Sequence, residues 1–164
     1  MLPVVALDVG GANLKLSDGA ELAISRPFAL WKQPEKLVAQ LTELLHEATS
    51  DTVVVATMTG ELADCFSTKA EGVRHIVSAL VEAAAGRSVY VYALDARLVS
   101  PHEACEAPLS VASANWHALA RYIARSIPSA GLLIDIGSTT SDLIPLVAGG
   151  PFVVGHNDPE RLAS

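Results

Sequence analysis

The chain repeats one short pattern, and that repeat limits the folds open to it. Residues 3–8, Pro-Val-Val-Ala-Leu-Asp, are an apolar run ending in an acid, with Gly10 and Gly11 close behind. Residues 131–135, Gly-Leu-Leu-Ile-Asp, are a run of the same kind, followed by Ile136-Gly137-Ser138-Thr139-Thr140. Setting Asp8 on Asp135, an offset of 127 residues, brings Gly10 onto Gly137 and Lys15 onto Asp142. Each copy then continues alike. Asn13 to Leu16 alternates polar and apolar residues, the period of a strand. Asp18-Gly19 signals a two-residue hairpin turn into a third strand over 20–25. In the second copy Ser141 to Ile144 resumes as a strand, Gly149-Gly150 turns, and Phe152 to Val154 starts a third.

The stretch between the copies reads as alternating helices and strands. Pro34 opens a helix, where its missing N–H does no harm, and Leu37, Val38, Leu41, Leu44, Leu45 and Ala48 mark its inner face. Thr52 to Thr57 is a buried β-branched strand that runs into Met58-Thr59-Gly60-Glu61. A second helix fits 70–85, with Val73, Ile76, Val77, Leu80 and Val81 inward and Gly86 as its stop. Val89 to Ala93 is another strand. Residues 98–112, with Pro101, Pro108 and Ser110, read as irregular. A third helix fits 113–126, with Trp116, Leu119, Ala120 and Ile123 on one face. The prediction is an α/β chain: a βββαβαβ lobe over 1–112, then over 113–164 a connecting helix and the first strands of a second, related lobe.

Composition closes off several function classes. Of 164 residues, 51% are hydrophobic but only 5% aromatic, so the core is aliphatic and rich in alanine. No apolar stretch approaches the ~18 residues that cross a bilayer, which argues against a membrane partner. With 18 acidic against 11 basic residues the net charge is −7, and there is no Lys/Arg stripe, so nucleic acid is not expected as a partner. Cys65 and Cys105 lack the number for a disulfide framework and the spacing for zinc. The first residues enter a strand without a basic segment or cleavage site, so a cytoplasmic location is expected.

In each repeat an apolar strand carries an Asp toward the rim of a sheet. The Gly just after it lets the backbone turn tightly, with no Cβ in a ligand's way. Successive turn N–H groups can converge on phosphate oxygens. A carboxylate would repel phosphate, so Asp8 and Asp135 are expected to hold Mg²⁺, usually through water. Gly10, Gly11, Asn13 and Lys15 would serve the first corner, and Gly137, Ser138, Thr139 and Thr140 the second. Taken singly, each corner reads equally as a tight turn with a solvated carboxylate capping local N–H groups. Occurring twice in matching context, the two corners are expected to line one ligand cleft. Thr59, Gly60 and Glu61 come directly after a buried strand, where α/β ligand sites tend to lie, or else form a helix cap with a first-turn acid. Cys65 is expected to be a small buried hydrophobe, Trp116 core, His75 a surface helix residue and His102 a surface loop residue. Asp64 and Lys69 could contact a substrate or form a surface pair.

The segments Leu7-Asp8-Val9-Gly10-Gly11-Ala12-Asn13-Leu14-Lys15 and Ile134-Asp135-Ile136-Gly137-Ser138-Thr139-Thr140-Ser141-Asp142 resemble the two phosphate motifs of the actin/hexokinase/heat-shock ATPase (ASKHA) superfamily. Its lobes have a ribonuclease H-like fold. Within it the chain resembles the hydantoinase A/oxoprolinase-related branch. The block Thr57-Met58-Thr59-Gly60-Glu61-Leu62-Ala63-Asp64-Cys65-Phe66, with Lys69 to Gly72 behind it, is similar to proteins of the tetrahydromethanopterin-linked C1-transfer pathway. Relatives of these act in methanofuran biosynthesis, joining a furan-methyl diphosphate to γ-glutamyltyramine through an ether bond and releasing diphosphate. Family members continue for about as long again, so the resemblance implies an N-terminal portion of a longer protein or a divergent short product, lacking the adenosine-binding motif. It implies an open sheet edge that a second copy could cover, and it draws Asp158 and Arg161 toward the cleft.

The function expected on these grounds is that of a transferase handling a phosphorylated small molecule with Mg²⁺. Asp8, Asp135 and Asp142 are its candidate catalytic residues, with Asp135 or Asp142 as the base. Gly60 joins the two corners as a binding position. The rival expectations are an ATP-dependent kinase or hydantoinase/oxoprolinase-like ATPase, which would bind ATP or ADP, and a non-catalytic nucleotide-binding module.

Overall fold

In the computed structural model of the chain, residues 3–127, 129–136 and 141–152 are described, Ser141 and Asp142 by their backbone alone. The chain divides into two compact units, Met1–Asn115 and Trp116–Ser164. The first contains β1 (Val4–Val9), β2 (Asn13–Ser17), β3 (Ala23–Pro27), α1 (Leu37–Leu45), β4 (Val53–Met58), α2 (Lys69–Ala83), β5 (Val89–Tyr92), β6 (Leu98–Val99) and α3 (Pro101–Glu106). The sheet order is β3-β2-β1-β4-β5-β6. β1, β4 and β5 run parallel, while β2, β3 and β6 are antiparallel to their neighbours. This is the βββαβαβ lobe expected from the sequence, extended by β6 and α3.

The period of two in the strands decides which face is covered. Val5, Leu7 and Val9 of β1, Leu14 and Leu16 of β2, and Val54, Ala56 and Met58 of β4 are all buried. They join one core with Leu37, Leu41, Leu44 and Leu45 of α1 and Val73, Ile76, Val77 and Leu80 of α2. Burying each such leucine or isoleucine stabilises by roughly 2 kcal/mol. The alternate residues, among them Ala6, Asp8, Lys15 and Thr57, occupy the opposite face and are exposed or half-buried.

Several local expectations shift. The Asp18-Gly19 turn is not a two-residue hairpin. Ser17 pairs with Ala23, leaving a five-residue loop, because the Asp18 carboxylate accepts the N–H groups of Ala20 and Leu22. The third strand therefore starts at Ala23 rather than at residue 20. The segment 98–112 is not irregular throughout. It holds β6 and α3, and α3 is started by a capping box in which Ser100 and Glu103 each accept the other's backbone N–H, with Pro101 at the first turn. Val81 and Leu119, expected inside, are exposed.

In the second unit, α4 (Asn115–Ala124) buries Trp116, Ala120 and Ala124, as the helical spacing predicted for Trp116 and Ala120. β7 (Gly131–Ile136), β8 (Ser141–Val147) and β9 (Gly150–Pro151) form an antiparallel sheet. Val147 pairs with Gly150, so the turn is Ala148-Gly149, with Gly149 at φ 95°, one residue earlier than expected. Phe152 still donates its N–H to the Pro145 carbonyl, while Val153 and Val154 lie outside the described residues. Ile144 and Leu146 are buried, whereas Leu132, Ile134, Ile136 and Leu143 are exposed. Ile134 faces Leu143 in register. By the repeat, Leu132, Ile134 and Ile136 correspond to Val5, Leu7 and Val9, which α1 and α2 cover in the first unit. Among the described residues nothing comparable covers them here. No helix among the described residues is long and apolar enough to cross a membrane.

Candidate functional site

The strand registers of the first unit set three polar residues in one row. Asp8 pairs with Lys15 across β1 and β2, and with Thr57 across β1 and β4. Lys15 Nζ stands 3.0 Å from Asp8 Oδ2, and Thr57 Oγ1 donates to Asp8 Oδ1 over 3.4 Å. The row lies on the face away from the core. The Lys15 side chain is 57% exposed and that of Asp8 23%, so the pair contributes under about 1 kcal/mol to stability. Its value lies in placement: a cation and a carboxylate held side by side, near the carboxyl ends of two parallel strands, where α/β sheets bind ligands.

Beyond the row is the glycine turn. Gly10 donates its N–H to the Asn13 carbonyl over 3.0 Å, so Gly11 and Ala12 form the tip. Their own carbonyls accept from Leu30 and Phe28, which ties the tip to the segment before α1. The two glycines differ in role. A Cβ on Gly10 would stand 2.8 Å from the Asn13 oxygen, whereas one on Gly11 would meet nothing within 4 Å. Gly10 is thus required by the close approach of the backbone, and the space over Gly11 is open to a ligand. Gly10→Ala is expected to lower stability by about 1–3 kcal/mol, and Gly11→Ala to stay within about 0.5 kcal/mol. Urea unfolding of both variants checks the contrast.

Thr59 closes the other side of the corner. Its N–H donates to the Val9 carbonyl, and its hydroxyl lies 3.7 Å from where a Gly10 Cβ would be. Gly60 behind it is buried. The space where its Cβ would lie is bounded by Leu30 Cδ2 at 2.7 Å, the Val9 oxygen at 3.0 Å and Ile76 Cδ1 at 3.2 Å. Its glycine makes room for this packing, and Thr59 stands at the edge of the corner. Glu61 comes next, 1% exposed, with Oε1 accepting from Ser113 Oγ over 2.8 Å.

At the second corner Asp135 is half-buried on β7, and the β7–β8 register sets Asp142 opposite it, as Lys15 is set opposite Asp8. Gly137, Ser138, Thr139 and Thr140 lie outside the described residues, as do Asp158 and Arg161. Among the described residues no group of three or more His, Cys, Asp or Glu side chains is placed to hold a metal ion. Mg²⁺ does not require one, since it retains waters and takes one or two carboxylates beside substrate phosphates.

Other candidates sort differently. His75 is not an idle surface residue: its Nε2 is 3.0 Å from the Pro34 carbonyl and its ring packs on Phe66. Cys65 is half-buried rather than core, with Sγ 3.8 Å from the Leu30 carbonyl, and burial pushes its thiol pKa up. His102 is exposed, on α3 rather than in a loop. A groove of about 590 Å³ lies between the first turn of α2 and residues 107–110, but it includes neither Asp8 nor Gly10 nor Thr59. Thr57 and Ser113 carried no role in the sequence reading. Their partners are 49 and 52 residues away in the chain, and only the strand pairing and the packing reveal them.

Over 147 residues, 87% of its length, the chain is 37% identical to the (4-{4-[2-(gamma-L-glutamylamino)ethyl]phenoxymethyl}furan-2-yl)methanamine synthase of Methanocaldococcus jannaschii. The chain spans 43% of that relative's length. Residues 52–158, which include Thr59, Gly60 and the Asp135 corner, match the hydantoinase/oxoprolinase family, and the chain belongs to that family.

Proposed function

We propose that the chain is the diphosphate-handling part of a transferase that forms an aryl ether, condensing a furan-methyl diphosphate with γ-glutamyltyramine in methanofuran-type cofactor synthesis. The observation that carries the reading is the Lys15–Asp8–Thr57 row beside the open Gly11–Ala12 tip. The relative's name specifies a product with a phenoxymethyl link to a furan, which is the bond such a step makes.

In this reading the phenol oxygen of the acceptor bonds to the furan-methyl carbon. The C–O bond to diphosphate breaks, and its electron pair leaves with the diphosphate. The phenolic proton passes to Asp135 or Asp142. Lys15 and the N–H groups at the Gly11–Ala12 tip would stabilise charge on the departing oxygens. Asp8 at the first corner and Asp135 at the second would hold Mg²⁺, which neutralises phosphate charge when bound. Asp8, a half-buried carboxylate on the face away from the core, is the kind of oxygen donor this ion takes.

The test pairs binding with turnover. Calorimetry of the chain with inorganic diphosphate and Mg²⁺ is expected to show binding that Lys15→Met weakens. Diphosphate release from furan-methyl diphosphate and γ-glutamyltyramine then reads the reaction. Hydrolysis of ATP, with no release from the diphosphate ester, would replace this reading with an ATPase.

A further inference from the structure

Glu61 is a buried group that neither packing nor the proposed reaction accounts for. It is 1% exposed, and while Oε1 accepts from Ser113 Oγ, Oε2 is buried with no hydrogen-bond partner among the described residues. A buried polar atom left without a partner costs about 1–3 kcal/mol. An apolar side chain of similar volume would avoid that cost. The turn that carries it is nevertheless fixed in place. Gly72 of α2 makes room for the backbone of that turn, since a Cβ there would stand 2.6 Å from Glu61 Cα and 2.7 Å from the Glu61 carbonyl oxygen. Ser113 holds φ 51°, a left-handed backbone that L residues rarely adopt, while its hydroxyl reaches Glu61. Strain of that kind costs about 1–3 kcal/mol and persists where the surrounding structure fixes it.

We propose that Glu61 is a positioning residue, a proton-operated latch whose buried carboxyl keeps the Thr59–Leu62 turn seated against the Gly10 corner while it carries its proton. The chain geometry supplies the coupling. Thr59 bonds Val9 and borders Gly10, Leu62 bonds back to Thr59, and Gly60 is wedged between Leu30 and Ile76. Moving Glu61 therefore moves the edge of the corner.

With its proton, the carboxyl is neutral and suits its site. Without it, Oε2 is a buried anionic oxygen with no donor among the described residues. Burial pushes the Glu61 pKa up, while the Ser113 hydroxyl, local backbone N–H groups and the charge of Lys69 on α2 pull it down by less. Lys69 is the charged side chain that acts on it from the elements packed around it. A carboxyl whose folded pKa is raised adds stability below its ordinary value, 4.5, and loses it as pH climbs through the folded value. The latch is closed at the acid end and loosens toward the alkaline end.

The test needs no ligand. The Glu61 carboxyl is titrated by carbon-13 NMR between about pH 3 and about pH 9. Over the same range, hydrogen exchange of residues 59–62 and 111–114 is followed and corrected for base catalysis with an unfolded peptide. In the wild type, opening is expected to rise along the Glu61 titration, about tenfold for each pK unit by which its folded value exceeds the ordinary one. In Glu61→Gln, which keeps an acceptor for Ser113 and cannot ionise, the corrected opening is expected to stay flat. Ser113→Ala removes a group that favours the anion and is expected to move the titration to higher pH. Should Glu61 titrate without changing exchange, or Glu61→Gln show the same rise, the latch is refuted. Diphosphate calorimetry on the same samples separates the two readings. Exchange that tracks Glu61 in a chain that binds no diphosphate upholds the latch and overturns the diphosphate site. Binding with pH-independent exchange does the reverse.

Discussion

Asp8→Asn is expected to lower turnover at least about 100-fold, the scale on which one electrostatic group matters at a reacting centre, while leaving the fold intact. Asn keeps the volume and can still accept from Thr57, so the strand register survives. What is lost is the charge set between Lys15 and Thr57. Stability should change by less than about 1 kcal/mol, because the Lys15 partner is largely exposed. The expected signature is a collapse of diphosphate release with an unchanged urea midpoint. Asp135→Asn is expected to behave alike at the second corner. Near-wild-type rates in both variants would remove these carboxylates from the site.

The repeat was legible because it is written in local chemistry. An apolar run, an acid and a glycine announce a strand and a turn without reference to the rest of the chain, and β1, β2, β7 and β8 formed where that pattern placed them. The buried faces of α1 and α2 were legible for the same reason, through helical spacing. Misreadings arose where a single side chain overrides the local average. Asp18 accepts two backbone N–H groups and turns a hairpin into a five-residue loop. Ser100-Pro101-His102-Glu103 carries its own capping signal, which starts α3 among prolines that by composition favour a loop. The site divides in the same way. Asp8 and Gly10 could be named from sequence, because strand ends and glycine turns are local. Thr57 and Ser113 could not, because they reach their partners through the parallel β1–β4 pairing and through the return of the chain after α3. Glu61 was visible in sequence as a helix-cap acid or a ligand contact. Its burial against Gly72 gives it a third role that neither reading contained.

That burial carries the second large expectation. Gly72→Ala is expected to destabilise the protein by about 2 kcal/mol or more. In an isolated helix the change would help, since alanine is favoured over glycine by about 1 kcal/mol. Here the new methyl would stand 2.6 Å from Glu61 Cα and 2.7 Å from the Glu61 carbonyl oxygen. Both are backbone atoms and cannot swing aside as a side-chain end would. Overpacking a well-filled core costs about 1–3 kcal/mol and sometimes more, and this contact lies at the upper end because two backbones must separate. The separation would push the Thr59–Leu62 turn away from α2, so the effect should reach the corner as well as the core. Urea unfolding reads the first part and hydrogen exchange over residues 59–62 reads the second. Glu61→Ala in the Gly72→Ala background discriminates further. If the clash were with the Glu61 side chain, it would restore stability, but because the nearest contacts are backbone it is expected to leave the loss in place.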